Sequence, residues 1–233
     1  MKISFATGVS VLAISSLLVG CQTTKQPAEV ERQQEQTSES HTHDHEHSHA
    51  NDEETNRIYE GFFEESQVGD RLLTDWEGDW QSVYPYLQDG TLDEVFAYKT
   101  EQDDAMTPEE YKDYYKKGYQ TDVERIKIQG NNVTFFKNGN EQSSEYVYDG
   151  YEILTYDAGN KGVRYIFKLV GKDEGLPHFV QFSDHAIKQN KSEHYHLYWG
   201  DDHKDLLNEV TNWPTYYPLG MDGHDIAHEM MEH

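Results

Sequence analysis

From Val123 onward, hydrophobic and polar residues alternate in short runs. Side chains of a β-strand point alternately to the two faces of a sheet, so this period of two predicts half-buried strands. Turn-forming residues separate the runs, among them Asn138-Gly139-Asn140, Asp149-Gly150 and Gly159-Asn160-Lys161-Gly162. We predict an antiparallel meander that closes into a barrel or packs as a sandwich. The runs are ERIKIQ, NNVTFFK, EYVYDG, YEILTYD, VRYIFKLV, HFVQFSD and HYHLYWG.

Helices are predicted on both sides of this meander. Thr107-Pro108-Glu109-Glu110 has a capping threonine, a proline at the first helical position and a glutamate at the third, which indicates a helix start. This helix should run to Lys117, with Gly118 as its stop. The predicted fold class is therefore α+β, mostly β, with short helices flanking a β-barrel. Other segments are a short helix or lead-in at 56–63, a bend or strand with a helical turn at 71–87, helices at 91–99, 204–209 and 225–233, and an aromatic turn at 212–218.

The N-terminal residues have the pattern of an export signal. Lys2 is followed by an uncharged, largely apolar stretch that ends at Cys21, which indicates a signal peptide over residues 1–20. Leu18-Val19-Gly20-Cys21 resembles a bacterial lipobox, and Cys21 is the only cysteine, so no disulfide can form within the chain. We predict that Cys21 is lipidated and anchors the protein to a membrane. A secreted protein or one held by an uncleaved membrane span is the alternative.

Residues 21–56 contain few apolar side chains and are predicted to be a disordered tether. Residues 57–233 then form one domain. The tether contains five alternating histidines, a composition typical of metal capture, although a solvated His-rich linker is the plain alternative. We predict auxiliary metal capture by these residues, which are His41, His43, His45, His47 and His49.

The chain is strongly acidic. It has 44 Asp and Glu residues against 19 Lys and Arg, a formal net charge of −25. Nucleic-acid binding needs a basic surface, so we exclude nucleic acid as a partner. An acidic chain is compatible with attracting cations, although acidity by itself mainly favours solubility.

The main candidate site comprises three histidines, His185, His194 and His196. If Tyr195 lies in a strand, His194 and His196 point to the same face. A hairpin return after the run HFVQFSD would bring His185 beside them. Three imidazoles and one open position form a known zinc arrangement. The alternative is that three unrelated polar residues lie exposed on a sheet face.

Other histidines give weaker signals. His228-Glu229-Met230-Met231-Glu232-His233 is similar to a zinc-protease helix, but its second histidine is five residues after the first instead of four. We predict an amphipathic surface helix with Met230 and Met231 inward, and leave secondary metal contacts at His224, His228 or His233 open. His178 and His203 are predicted to be solvated, with a fourth-ligand role as the alternative. Asp184 and Glu193 should point away from the metal and could form outer hydrogen bonds.

Several motifs resemble the ZinT (YodA) family of extracytoplasmic zinc-binding proteins, including the form fused to some Gram-positive zinc-binding lipoproteins. The resemblance implies a lipocalin-like (calycin) barrel in which His185, His194 and His196 bind zinc, with water or an exogenous group completing the site. It further implies zinc scavenging, transfer to an ABC zinc importer and tolerance of cadmium. The motifs are QFSDH at 181–185, KSEHYH at 191–196, NWPTYYP at 212–218, DWEG at 75–78, QSVYPYL at 81–87, KDYYKKGY at 112–119, DGY at 149–151 and KGVRY at 161–165.

We therefore expect a zinc-binding delivery protein and not an enzyme. It would be anchored outside the cytoplasm, on a Gram-positive surface or in a periplasm. Its partner would be the solute-binding protein or the permease of a zinc ABC transporter. A lipocalin-type carrier of a small apolar ligand is one alternative. The other is a three-His zinc hydrolase, for which no well-placed Glu or Asp base is evident from the spacing.

Overall fold

The computed structural model describes residues 46–103, 105–171 and 175–232, with the backbone alone for 46–52. Eight antiparallel strands follow one another around a closed barrel, and β1 completes it by pairing with both β2 and β8. The predicted meander is therefore confirmed, as a barrel rather than a sandwich. The strands are β1 (Gly78–Ser82), β2 (Arg125–Gln129), β3 (Asn132–Lys137), β4 (Asn140–Thr155), β5 (Lys161–Leu169), β6 (Phe179–Ser183), β7 (Tyr195–Gly200) and β8 (Thr215–Pro218).

Two strand predictions were wrong. β4 is a single strand across Asp149-Gly150, where the sequence predicted a turn between two strands. The pairing register with β5 shifts between Tyr148 and Gly150, and Gly150 has a φ of 105° that suits a glycine. The Asp-Gly pair thus forms a bulge and not a hairpin turn. The predicted aromatic turn at 212–218 contains β8, the strand that closes the barrel.

Six α-helices occur in the described residues. α1 begins inside the predicted disordered tether, so residues 46–56 are helical and differ from that prediction; glutamate and alanine favour helix even without an apolar face. The helices are α1 (Glu46–Tyr59), α2 (Tyr84–Asp89), α3 (Asp93–Gln102), α4 (Pro108–Tyr119), α5 (His203–Leu207) and α6 (Gly223–Glu232).

The start of α4 confirms its prediction, but its end does not. Thr107 and Glu110 form the capping box. The helix continues through Gly118 to Tyr119, so Gly118 is not a stop. A Cβ atom at Gly118 would lie 2.3 Å from the Trp213 ring, so this glycine allows the loop before β8 to pack closely on the helix.

Two apolar clusters divide the molecule into a barrel interior and an outer layer. The interior is filled with aromatic residues such as Trp76, Phe182 and Tyr195. The outer cluster joins α2, α3, α4 and α6 to the outside of the barrel, where Tyr217 of β8 packs against Ile226 and other residues of α6. Because Tyr195 and Leu197 point inward, the alternate residues of this segment face the outer layer.

No helix in the described residues is long and apolar enough to cross a membrane. The predicted signal peptide, Cys21, His41, His43, His45 and His233 lie outside the described residues. The side chains of His47 and His49 lie outside them as well, although their backbone belongs to α1.

Candidate metal centre

The structure brings His185, His194 and His196 together on the outer wall of the barrel. β6 and β7 pair antiparallel, with Ser183 opposite His196, so the chain leaves β6 just before His185 and re-enters the sheet just after His194. The ring centroids are 6.0 Å apart for His185 and His194, 5.8 Å for His185 and His196, and 6.1 Å for His194 and His196. The predicted hairpin return therefore forms.

His185 is presented by an unusual backbone conformation. Its φ is 65°, in the left-handed region that costs about 1–2 kcal/mol for a residue other than glycine. The ring stacks on Tyr59 of α1 with centroids 4.3 Å apart, and its Nδ1 lies 3.1 Å from the Tyr59 carbonyl oxygen. His185 is exposed, so the site is accessible to solvent from this side.

A buried arginine fixes the loop between His185 and His194. Arg71 is fully buried and donates hydrogen bonds to Asp75 and to both carboxylate oxygens of Asp184, the residue before His185. It also donates to the carbonyl oxygen of Asn190, at 2.7 Å. The guanidinium thus ties the start and the middle of the loop to one point, which holds His185 in its strained conformation.

His194 is oriented by the C-terminal helix. Glu229 of α6 places Oε1 2.9 Å from His194 Nδ1, and its Oε2 accepts a hydrogen bond from the Tyr217 hydroxyl. The His194 ring also stacks on Tyr217, at 5.1 Å between centroids. Burial, together with the nearby Tyr119 and the Glu229 carboxylate, raises the pKa of Tyr217 well above its ordinary value, so Tyr217 remains a hydrogen-bond donor.

His196 is oriented from β8. Its Nδ1 lies 2.7 Å from the hydroxyl oxygen of Thr215, which itself donates to the Trp213 carbonyl at 3.0 Å. Removal from water, followed by the neighbouring His185 and His194 and by Arg164, lowers the pKa of His196 well below its ordinary value. His196 is therefore a neutral imidazole at neutral pH, the form that binds metals.

The three contacts impose one tautomer on the triad. A carbonyl, a carboxylate and a hydroxyl already committed as a donor can only accept, so each Nδ1 carries a proton and the neutral form of each ring has its lone pair on Nε2. Three imidazoles with Nε2 at about 2.0–2.1 Å from one zinc ion have ring centroids about 5–5.5 Å apart. The observed triangle is slightly wider, and each ring would move inward by about 0.4 Å to meet that geometry. Among the described residues, no group of three or more potential ligands is close enough to hold a metal ion as it stands, so the triad would need this inward movement to bind one.

The remaining candidates lie elsewhere. His178 precedes β6 and His203 follows β7, so both are at the opposite ends of these strands from the triad. His178 is exposed, with Nδ1 3.9 Å from Asp201, and His203 is half-buried against Phe179. The structure does not bring either to the three histidines. Asp184 makes the outer contacts described above, and Glu193 is exposed.

The sequence analysis missed the residues that orient the triad. Glu229 was placed on a surface helix, and α6 does bury Met230 and half-bury Met231 as predicted, yet Glu229 turns toward His194. Glu229 comes three residues after Ile226, so the two side chains lie on the same side of the helix, which was the available signal. No local signal marked Thr215, Tyr59 or Arg71, which are distant in sequence from the histidines they serve.

The chain is similar to known metal-binding and zinc-binding proteins. The chain is 65% identical to the probable metal-binding protein YrpE of Bacillus subtilis over the full length of both. It is 51% identical to the zinc-binding protein AdcA of Streptococcus pyogenes over 77% of this chain, which spans only 36% of AdcA. Among solved structures, the Zn(II)-bound ZinT-like domain of Streptococcus pneumoniae AdcA superposes with a TM-score of 0.73 at 48% identity, covering 75% of this chain and 97% of that domain.

A family model matches most of the described structure. Residues 54–233 match the family described as ZinT (YodA) periplasmic lipocalin-like zinc-recruitment, and the closed barrel with its flanking helices agrees with that fold. The chain belongs to the ZinT (YodA) family.

Proposed function

We propose that this protein recruits zinc outside the cytoplasm and binds it through the Nε2 atoms of His185, His194 and His196. The observation that carries the proposal is the matched set of Nδ1 contacts, which orients three imidazoles around one point. A metal-binding histidine typically donates its other ring N–H to a carboxylate or carbonyl in this way. Water or an exogenous group would complete the coordination.

The relatives support zinc as the cargo. AdcA is named a zinc-binding protein, and solved structures of AdcA and of its ZinT-like domain are described as Zn(II)-bound. Imidazole sites discriminate poorly among late divalent metals, so cadmium should also bind. The role we infer is zinc homeostasis through binding rather than catalysis, because the nearby Glu229 carboxylate is engaged with His194 Nδ1 and Tyr217.

Delivery and anchoring extend this proposal. The AdcA of Streptococcus pneumoniae is named a zinc-binding lipoprotein, which supports lipidation of Cys21 here and a position on the outer face of the cell membrane. From there the protein would pass zinc to the solute-binding protein or permease of an ABC importer. The histidines at 41–49 would increase the local capture of metal. A Cys21→Ser variant should shift the protein from the membrane fraction to the medium.

A competitive zinc titration tests the site. The full chain, with the histidines at 41, 43, 45, 47 and 49 replaced by serine, is compared with the same chain carrying His185→Ala, His194→Ala and His196→Ala. We expect one tight site that is lost in the triple variant. His178→Ala, which removes an exposed histidine at the far end of the barrel, is the matched control and should keep that site. Tight binding that survives the triple substitution would refute the ligand assignment.

A further inference from the structure

α6 carries a second pair of histidines on its exposed face. His224 and His228 are four residues apart, which places their side chains next to each other on one face, about 5–6 Å apart at Cβ. Their side chains are 88% and 70% exposed, so neither contributes to packing. The opposite face of α6 is buried through Ile226, Ala227 and Met230. The helix is therefore held in place by its other side, and the pair is presented on a rigid backbone.

A carboxylate lies at each end of this pair. Glu94 of α3 has Oε1 3.8 Å from His224 Nδ1, and Glu232 has Oε1 3.5 Å from His228 Nδ1. Two helices thus contribute, because α3 and α6 share the outer apolar cluster. Glu232 is one further turn along the same face, so the four side chains form a continuous row across the surface. We call this row the α6 surface cluster.

We propose that the α6 surface cluster is a second metal site, which binds a late divalent cation through the imidazoles of His224 and His228. Two imidazoles one helical turn apart can reach a common ion, and nitrogen ligands favour zinc, copper and nickel over calcium or magnesium. Glu94 and Glu232 add two negative charges next to the rings, with Oε1 atoms 3.8 Å and 3.5 Å from the two Nδ1 atoms. The site binds more weakly than the triad because all four side chains are solvated, and binding an ion would cost the conformational entropy of fixing their rotamers.

The α6 surface cluster lies on the same helix as the residue that orients His194. His228 precedes Glu229, the residue that orients His194, so one helix carries the surface pair on one face and the triad contact on another. The cluster is thus suited to capturing an ion at the surface before it reaches the deeper site. The second site itself does not depend on the function proposed for the triad.

The test is a zinc titration of the full chain with the histidines at 41–49 replaced by serine. We expect a second, weaker binding event after the triad is filled. His224→Ala should weaken that event by about tenfold or more, equal to about 1.4 kcal/mol, and leave the tight event unchanged. His228→Ala should do the same. His178→Ala removes another exposed histidine and should change neither event.

Side-chain spectra separate this proposal from the proposal for the triad. Two-dimensional NMR of the imidazole nitrogens during the titration should show His224 and His228 shifting together after the first equivalent of zinc. A weak event that persists in the His224→Ala/His228→Ala double variant, or zinc shifts confined to other histidines, would overturn the second site. Loss of the tight event in the triad variant with retention of the weak one would support both sites independently. Retention of the tight event in the triad variant would overturn the triad assignment alone.

Discussion

Glu229 provides the sharpest test of how the triad is built. Its carboxylate accepts a hydrogen bond from His194 Nδ1 at 2.9 Å and another from the Tyr217 hydroxyl. A Glu229→Gln substitution keeps the size of the side chain and one acceptor oxygen but removes the negative charge. A Glu229→Ala substitution removes both hydrogen bonds and leaves His194 Nδ1 without this partner.

The magnitude follows from the character of this contact. A hydrogen bond to a charged group contributes about 1.5–3 kcal/mol, against about 0.5–1.5 kcal/mol for a neutral one. The side chain of Glu229 is 20% exposed and that of His194 is 11% exposed. Because both are partly solvated, we expect the hydrogen bond to the charged carboxylate to exceed a neutral one by an amount near the lower end of these ranges. We expect Glu229→Gln to weaken zinc binding about tenfold, or about 1.4 kcal/mol, and Glu229→Ala about a hundredfold, within the range known for residues that orient metal ligands.

The assay is competition for zinc against a chelator of known affinity, at neutral pH and fixed ionic strength. Glu193→Gln is the matched control, because it removes the same charge from an exposed residue adjacent to His194. It should leave the zinc affinity within about twofold, since exposed charges are well screened. Equal losses of zinc affinity in Glu193→Gln and Glu229→Gln would show that the net negative charge near the site, and not the hydrogen bond to His194, determines the affinity. An unchanged affinity in Glu229→Ala would refute the orienting role altogether.

Three further predictions concern stability. Arg71→Met leaves two buried carboxylates unpaired and should cost about 3–5 kcal/mol in the free energy of unfolding measured with denaturant. Arg125→Met, at a half-exposed ion pair, should lower the free energy of unfolding far less. The folded protein keeps His196 neutral, so the unfolded chain binds more protons below about pH 6.5. The free energy of unfolding of the metal-free protein should therefore decrease as the pH is lowered below about 6.5, by up to about 1.4 kcal/mol per pH unit. The same slope in His196→Gln would contradict this. Gly118→Ala should lower the unfolding free energy by about 1–3 kcal/mol, because its Cβ would meet the Trp213 ring, and a more stable variant would contradict that packing.

Local patterns predicted most of the architecture. Alternation with period two located β2 to β7, and the capping box at Thr107 located the start of α4. Predictions that depended on single turn residues were less successful. Asp149-Gly150 forms a bulge because β5 is long enough to pair on both sides of it, and Gly118 lies within a helix because Trp213 packs on it. In both cases, a distant segment determined the role of the glycine.

Some features of the candidate site also follow from local sequence, whereas others depend on distant segments. The sequence by itself determined that His194 and His196 share a face and that His185 returns to them, because these relations depend on strand alternation and one short loop. Only the tertiary structure decided that this face is the outside of the barrel, covered by a helical layer. It also decided that Tyr59, Glu229 and Thr215 set the tautomers of the three rings. Those contacts join residues far apart along the chain, and only the closure of the barrel and the docking of its helices bring them together.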